Sequence, residues 1–163
     1  GEGYFPFSWE LSPLLDTIWL SEGFIRFISI EIASARLPDQ EAQMYRERLL
    51  GSLRRYVEAS PKFIRKMSLV ELSRVGSTAY SEDFRIGRNL FSRGALMAAE
   101  MDELIREQSY GRKRFRDAMR HLFSWSQREQ RAFKMEEISG ILSEGTGVDL
   151  EPIMEKWLHP LQE

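Results

Sequence analysis

The sequence predicts an all-α domain, a bundle of six or seven helices. Three observations carry this. Apolar residues recur at three- and four-residue spacing along most of the chain. Capping residues and Pro or Gly breaks divide that pattern into helix-length pieces. No stretch reads as a strand, and there is no repeat period or low-complexity tract.

Residues 1–9, G-E-G-Y-F-P-F-S-W, have no period and carry four aromatics, which predicts an extended segment packing its rings on something. Ser12-Pro13 then opens the first helix, with Ser as N-cap, Pro at the first helical position and Asp16 complementing the dipole. Leu15, Ile18, Trp19, Ile25, Ile28 and Ile32 fall at helical spacing. Phe24 and Phe27 extend the apolar surface around the helix, predicting a central, largely buried element that stops near Leu37, ahead of Pro38. A second helix runs from Asp39 to about Ala59, its stripe Met44, Leu49, Leu53, Tyr56 and Val57. Ser68 to Glu71 form a capping-box pattern that starts a short helix ending near Val75-Gly76. Residues 76–87 read as a loop, the best candidate for a mobile or site-lining segment. A long helix over about 88–108 follows, then one over about 113–125. Two short helices finish the chain, Met135 to about Glu144 and one capped by Asp149 that runs to Trp157.

The 163 residues suffice for one domain with a real core. With 42% hydrophobic and 29% charged residues, the composition is that of a soluble globular chain. A net charge of −2 exerts no global pull toward nucleic acid or an anionic membrane, and neither is an expected partner. No apolar run approaches a membrane span. The absence of cysteine excludes disulfides and thiolate chemistry. The chain begins with Gly1 and not Met, so it is expected to be an excised piece, a single helical domain over 1–163.

One carboxylate stands out. Glu22 sits among Trp19, Leu20, Phe24 and Ile25, and a charge on an apolar helix is costly unless a cation or hydrogen bonds meet it. The bland account is an i,i+4 pair with Arg26, worth about 0.3–0.5 kcal/mol if exposed. Gly23 beside it removes a side chain, so another backbone or a ligand can come close.

The hexamer W-L-S-E-G-F at 19–24 resembles the segment with which gluzincin, thermolysin-like metallopeptidases donate a glutamate as third zinc ligand. R-G-A-L at 93–96 and the late G-T-G-V-D-L narrow the likeness to the glycyl aminopeptidase family. The resemblance covers nearly the whole chain but matches only the later half of that family's catalytic domain. It implies that Glu22 is a metal ligand, with Trp19, Gly23 and Phe24 supporting the site. It also implies zinc in a full-length parent, a peptide substrate, and hydrolysis of an N-terminal peptide bond by zinc-activated water.

The same likeness shows what is missing. Both histidine ligands and the general base of this class come from H-E-x-x-H, which does not occur here. The family's connection places that motif before Gly1: either the chain is cut after it, which makes the missing N-terminal part of the same catalytic domain an expected partner, or the parent has lost it. Alone the chain is expected to bind no zinc and to be inactive. Phe91 occupies the position of the family's oxyanion tyrosine; the ring stays and the donor is lost, a change that costs about a hundred- to thousandfold in rate elsewhere. Core packing is the bland reading of Phe91. Tyr80 is another phenol in the preceding loop, without support from spacing.

Other residues carry less. Arg112, Lys113, Arg114, Arg116 and Arg120 read as a solvated helix face, since they lack interleaved aromatics. His121 reads as a satisfied, semi-buried histidine and His159 as a surface residue. Loss of the H-E-x-x-H helix is expected to leave an apolar area around Trp19, Phe24 and the aromatics of 4–9, exposed or covered by a second copy in a homodimer. The rival to the peptidase reading is a catalytically silent, gluzincin-like helical interaction module, which Phe91 favours.

Overall fold

A computed structural model describes residues 15–79 and 83–159. They form eight α-helices and no β-sheet. A π-helical turn, Leu20–Phe24, runs directly into α1 (Ile25–Ser34). Then come α2 (Asp39–Glu58), α3 (Lys62–Arg65), α4 (Leu69–Ala79) and α5 (Phe84–Gln108). The chain continues through α6 (Phe115–Glu129), a 3-10 turn Met135–Glu137, α7 (Ile138–Thr146) and α8 (Glu151–Leu158). The segments before Leu15 and after His159, including the aromatics of 4–9, lie outside the described residues, as do 80–82.

Local chemistry places most boundaries. At α4 the Ser68 N–H donates to Glu71 Oε2 at 2.6 Å and the Glu71 N–H donates to Ser68 Oγ at 3.0 Å, the reciprocal bonds of a capping box. Helix α7 ends at Gly147, whose φ of +75° a side chain would strain and whose N–H donates to Ser143 O at 2.7 Å. Asp149 accepts from the Glu151 N–H at 3.1 Å and so helps start α8.

The expected loop over 76–87 is mostly helix. Helix α4 continues through Ala79 and α5 begins at Phe84, because Asp83 accepts from the Arg85 N–H at 2.9 Å and acts as an N-cap. The short α3 was missed, hidden behind Ser60-Pro61. It brings the count from the seven expected helices to eight.

The centre of the bundle is α5 rather than the first helix. Almost every α5 residue from Ile86 to Asp102 is buried, and π-turn, α1, α2, α4, α6 and α8 all pack on it. Its Arg93 is fully buried without a carboxylate partner among the described residues. Nη1 donates to Met67 O at 2.8 Å, and Nη2 reaches the carbonyls of Trp157 and His159 at 3.4 and 3.3 Å. One guanidinium thus ties the α3–α4 connection and the end of α8 to α5, and burial lowers its pKa to about 10.

The junction of α6 and α7 is held by Glu137, whose carboxylate accepts from Arg131 at 2.6 and 2.9 Å and from the Lys134 N–H at 2.7 Å. The Arg131 hydrogen bonds, with the Lys134 N–H behind them, pull the Glu137 pKa down to about 2. A depressed carboxyl contributes stability above its unfolded pKa and loses it as pH falls toward the folded value. The melting temperature should therefore drop between about pH 4.5 and pH 2. Glu137→Gln should flatten part of that slope in a pH series of thermal melts; an unchanged slope would show that this junction frays without cost.

Candidate functional site

The π-turn explains how the hexamer W-L-S-E-G-F is used. Residues five apart lie about 140° apart around a regular α-helix. The wider i→i+5 turn brings them near one face. Trp19 and Phe24 are five apart, both fully buried, with ring centroids 5.5 Å apart in an edge-on arrangement. Phe24 then meets Phe115 of α6 at 4.8 Å, and Phe27 meets the same ring at 5.6 Å. The first helix is therefore one-sided: Trp19, Phe24, Phe27 and Ile30 face inward while Ile25 and Ile32 are exposed. This corrects the expectation of a central, largely buried helix. It also removes Trp19 and Phe24 from the expected apolar scar, since both lie in the chain's own core.

Gly23 behaves as its missing side chain predicts. A Cβ there would lie 2.3 Å from Gly94 Cα and 2.9 Å from Ala95 N. In turn, a Cβ on Gly94 would lie 2.5 Å from Trp19 O and 2.8 Å from Gly23 Cα. The backbones of the π-turn and α5 touch at a glycine–glycine crossing. Upstream, the entry to the helix is pinned to α4. Ser73 Oγ accepts from the Trp19 N–H at 3.3 Å and Ser77 Oγ from the Leu15 N–H at 2.8 Å. Asp16 takes a two-pronged contact from Arg74 at 2.6 and 3.1 Å, and that hydrogen bonding holds its carboxyl below the usual range.

Glu22 is exposed, between Ser21 and the buried Gly23; its backbone carbonyl accepts from the Ile25 N–H, and no described residue donates to or pairs with its carboxylate. The pair with Arg26 does not form among the described residues. Among the described residues no group of three or more His, Asp or Glu side chains is placed to hold a metal ion. These residues alone do not fit a zinc site. Phe91 is half-buried and packs against the core, as its bland reading holds. Tyr80 lies outside the described residues. His121 sits half-buried with its Nε2 3.4 Å from Glu144, and His159 is exposed.

A second constellation was not anticipated. Glu31, in I-E-I on the same apolar helix, is the carboxylate that cations meet. Arg46 Nε lies 2.6 Å from it and Arg114 Nη2 donates to it at 2.8 Å. Arg114 also grips the buried Asp102 through Nε and Nη2 at 3.1 and 2.9 Å, and Asp102 accepts from the Phe115 N–H at 2.8 Å. Burial raises the Glu31 carboxyl above its ordinary value and the Asp102 carboxylate adds to the shift, while both arginines oppose it. The group lines a cavity of about 650 Å³ between α1, α2, the end of α5 and the start of α6. Arg114 thus leaves the solvated basic face expected for 112–120 and becomes an internal strut. The available signal was Glu31 itself, flanked by isoleucines.

Comparison of the chain with protein families, with curated proteins and with solved structures finds no match.

Proposed function

We propose that the chain is the helical C-terminal portion of a glycyl-aminopeptidase-like metallopeptidase, presenting Glu22 toward a metal whose other ligands lie elsewhere. The supporting observation is that the two motifs carrying the resemblance, W-L-S-E-G-F and R-G-A-L, meet backbone to backbone at Gly23 and Gly94. Around that crossing Trp19, Gly23 and Phe24 are buried, and Glu22 is left as the hexamer's only charge, exposed and without a described partner. A rigid support beneath a free carboxylate is what a metal ligand needs. This chain's contribution is positional: the crossing holds the π-turn, and the core holds the crossing. The other two ligands and the base would come from the missing N-terminal part.

Calorimetric titration tests this. The 163-residue chain should take up no stoichiometric zinc below micromolar concentrations, since three ligands are needed and it offers one. The same chain joined to its H-E-x-x-H segment should bind one zinc. Glu22→Gln there should weaken binding by more than about a hundredfold, beyond the effect of losing an outer partner. Unchanged zinc affinity in that variant would remove the assignment.

A second reading has its own observation. Trp19 and Phe24 are completed by Phe115 within the chain, as a self-contained module requires. With Phe91 in the oxyanion position, this favours a catalytically silent member of the same scaffold. Hydrolysis of aminoacyl substrates by the joined protein would exclude it.

A further inference from the structure

The near-neutral composition hides a strongly basic face. Residues 54–66 carry Arg54, Arg55, Lys62, Arg65 and Lys66 against Glu58 alone, while the whole chain has a net charge of −2. The start of α5 adds Arg85 and Arg88, with Asp83 paired to Arg85 at 2.7 Å. The fold brings the end of α2, α3 and the first turns of α5 together at one end of the bundle. Asn89 Nδ2 donates to Ser60 Oγ at 3.0 Å, fastening the first turns of α5 to the end of α2. Arg88 Cζ lies 3.9 Å from the Tyr56 ring centroid and Arg85 Cζ lies 5.6 Å from that of Phe63.

Two phenylalanines stand out among these cations. Phe63 on α3 is 57% exposed and Phe84, the first residue of α5, is 72% exposed. Neither ring has a polar handle, so water gains nothing from them. Guanidinium groups already occupy a face of the Tyr56 and Phe63 rings, which leaves those faces closed to a stacking base. Protruding apolar rings bordered by Lys and Arg match the interface of an anionic bilayer, with rings at acyl depth and cations at the phosphates.

We infer that this face, Phe63 and Phe84 with Lys66 and Arg88, is a peripheral docking surface for membranes carrying anionic lipid. It is independent of Glu22 and of any metal. Charge segregation makes such binding compatible with an acidic net charge, because fields from exposed charges fade within a screening length of about 8 Å at physiological salt.

Sedimentation of the full chain with vesicles tests it. Vesicles of phosphatidylcholine with about one-third phosphatidylserine should carry the protein down, and pure phosphatidylcholine should not. Lys66→Gln with Arg88→Gln should weaken binding about 25-fold, about fivefold for each cation removed. Phe63→Ser with Phe84→Ser should also weaken it, and the residual binding should become more salt-sensitive. Both pairs are exposed enough to leave the fold intact, which circular dichroism would verify; Arg120→Gln, on α6, should bind as the parent does. Three outcomes would overturn the inference: no preference for the anionic vesicles, binding indifferent to the phenylalanine changes, or binding to a single-stranded oligonucleotide without binding to vesicles.

Discussion

Gly23→Ala should lower the stability of the chain by about 3 kcal/mol, the upper range for inserting a methyl into a packed contact. The cause is the identity of the neighbours. The new Cβ would meet Gly94 Cα, Gly94 C and Ala95 N, all backbone atoms between 2.3 and 2.9 Å away. No side chain can swing aside, so the π-turn and α5 must separate along a crossing that anchors Trp19 and Phe24. For a chain of this size the melting temperature should fall by about 6–12 °C. Gly94→Ala strikes the same crossing from the other side, against Trp19 O at 2.5 Å. Because both changes open one contact, the double variant should lose clearly less than the sum of the singles. Gly140→Ala is the contrast: it lies inside α7, exposed, with nothing within 4 Å of its Cβ position. There alanine should raise stability by about 0.5–1 kcal/mol through helix propensity alone. If Gly23→Ala and Gly140→Ala both melt within a degree or two of the parent, the close crossing is not present in solution.

The crossing itself was half legible. A glycine following Glu22 in an apolar helix announces close approach, and close approach is what Gly23 does. Nothing in the spacing named Gly94 as its partner, since the two lie far apart in sequence and a glycine marks room without saying what fills it. The helices were legible where caps and period agree, as with Ser68–Glu71 and the stripe of α2. The segment 76–87 misled because its small and polar residues look like a loop. Asp83 has the right chemistry for an N-cap, and that single hydrogen bond decides where α5 begins. The π-turn was invisible to a reading at 3.6 residues per turn. At that period Trp19 and Phe24 fall on different faces, which made a one-sided helix look apolar all round.

The role of Glu31 escapes the sequence for a related reason. Glu22 and Glu31 both sit among apolar neighbours in the chain, and desolvation should make either one conspicuous. The turn that re-registers the helix leaves Glu22 at the surface and sets Glu31 beside Arg46 and Arg114. Those partners come from α2 and from the start of α6, so only tertiary structure could reveal them. Arg114 illustrates the converse. In a run of five basic residues it is indistinguishable from its neighbours, yet it alone turns inward because Asp102 lies beneath it.

Asp102→Ala should be the most damaging change in this network, at about 3–5 kcal/mol. Asp102 is almost fully buried and accepts from Arg114 Nε and Nη2 and from the Phe115 N–H, with Arg46 Nη2 another 3.6 Å away. Its removal strands the backbone N–H at the first residue of α6 and leaves two guanidiniums sharing the half-exposed Glu31. An unpaired buried donor and an under-compensated cation each carry a desolvation penalty. Glu31→Gln should cost only about 1 kcal/mol, because water reaches that side of the cavity and screens the arginines. Asp102→Asn separates the two contributions. Its amide oxygen can still accept from Phe115 but carries no charge for Arg114, so its loss should fall between those of the other two variants. Denaturant titrations of the three proteins would rank them. If Asp102→Ala cost no more than Glu31→Gln, the strut would be a surface ion pair, and α6 would be held chiefly by the packing of Phe115 against Phe24 and Phe27 of the first helix.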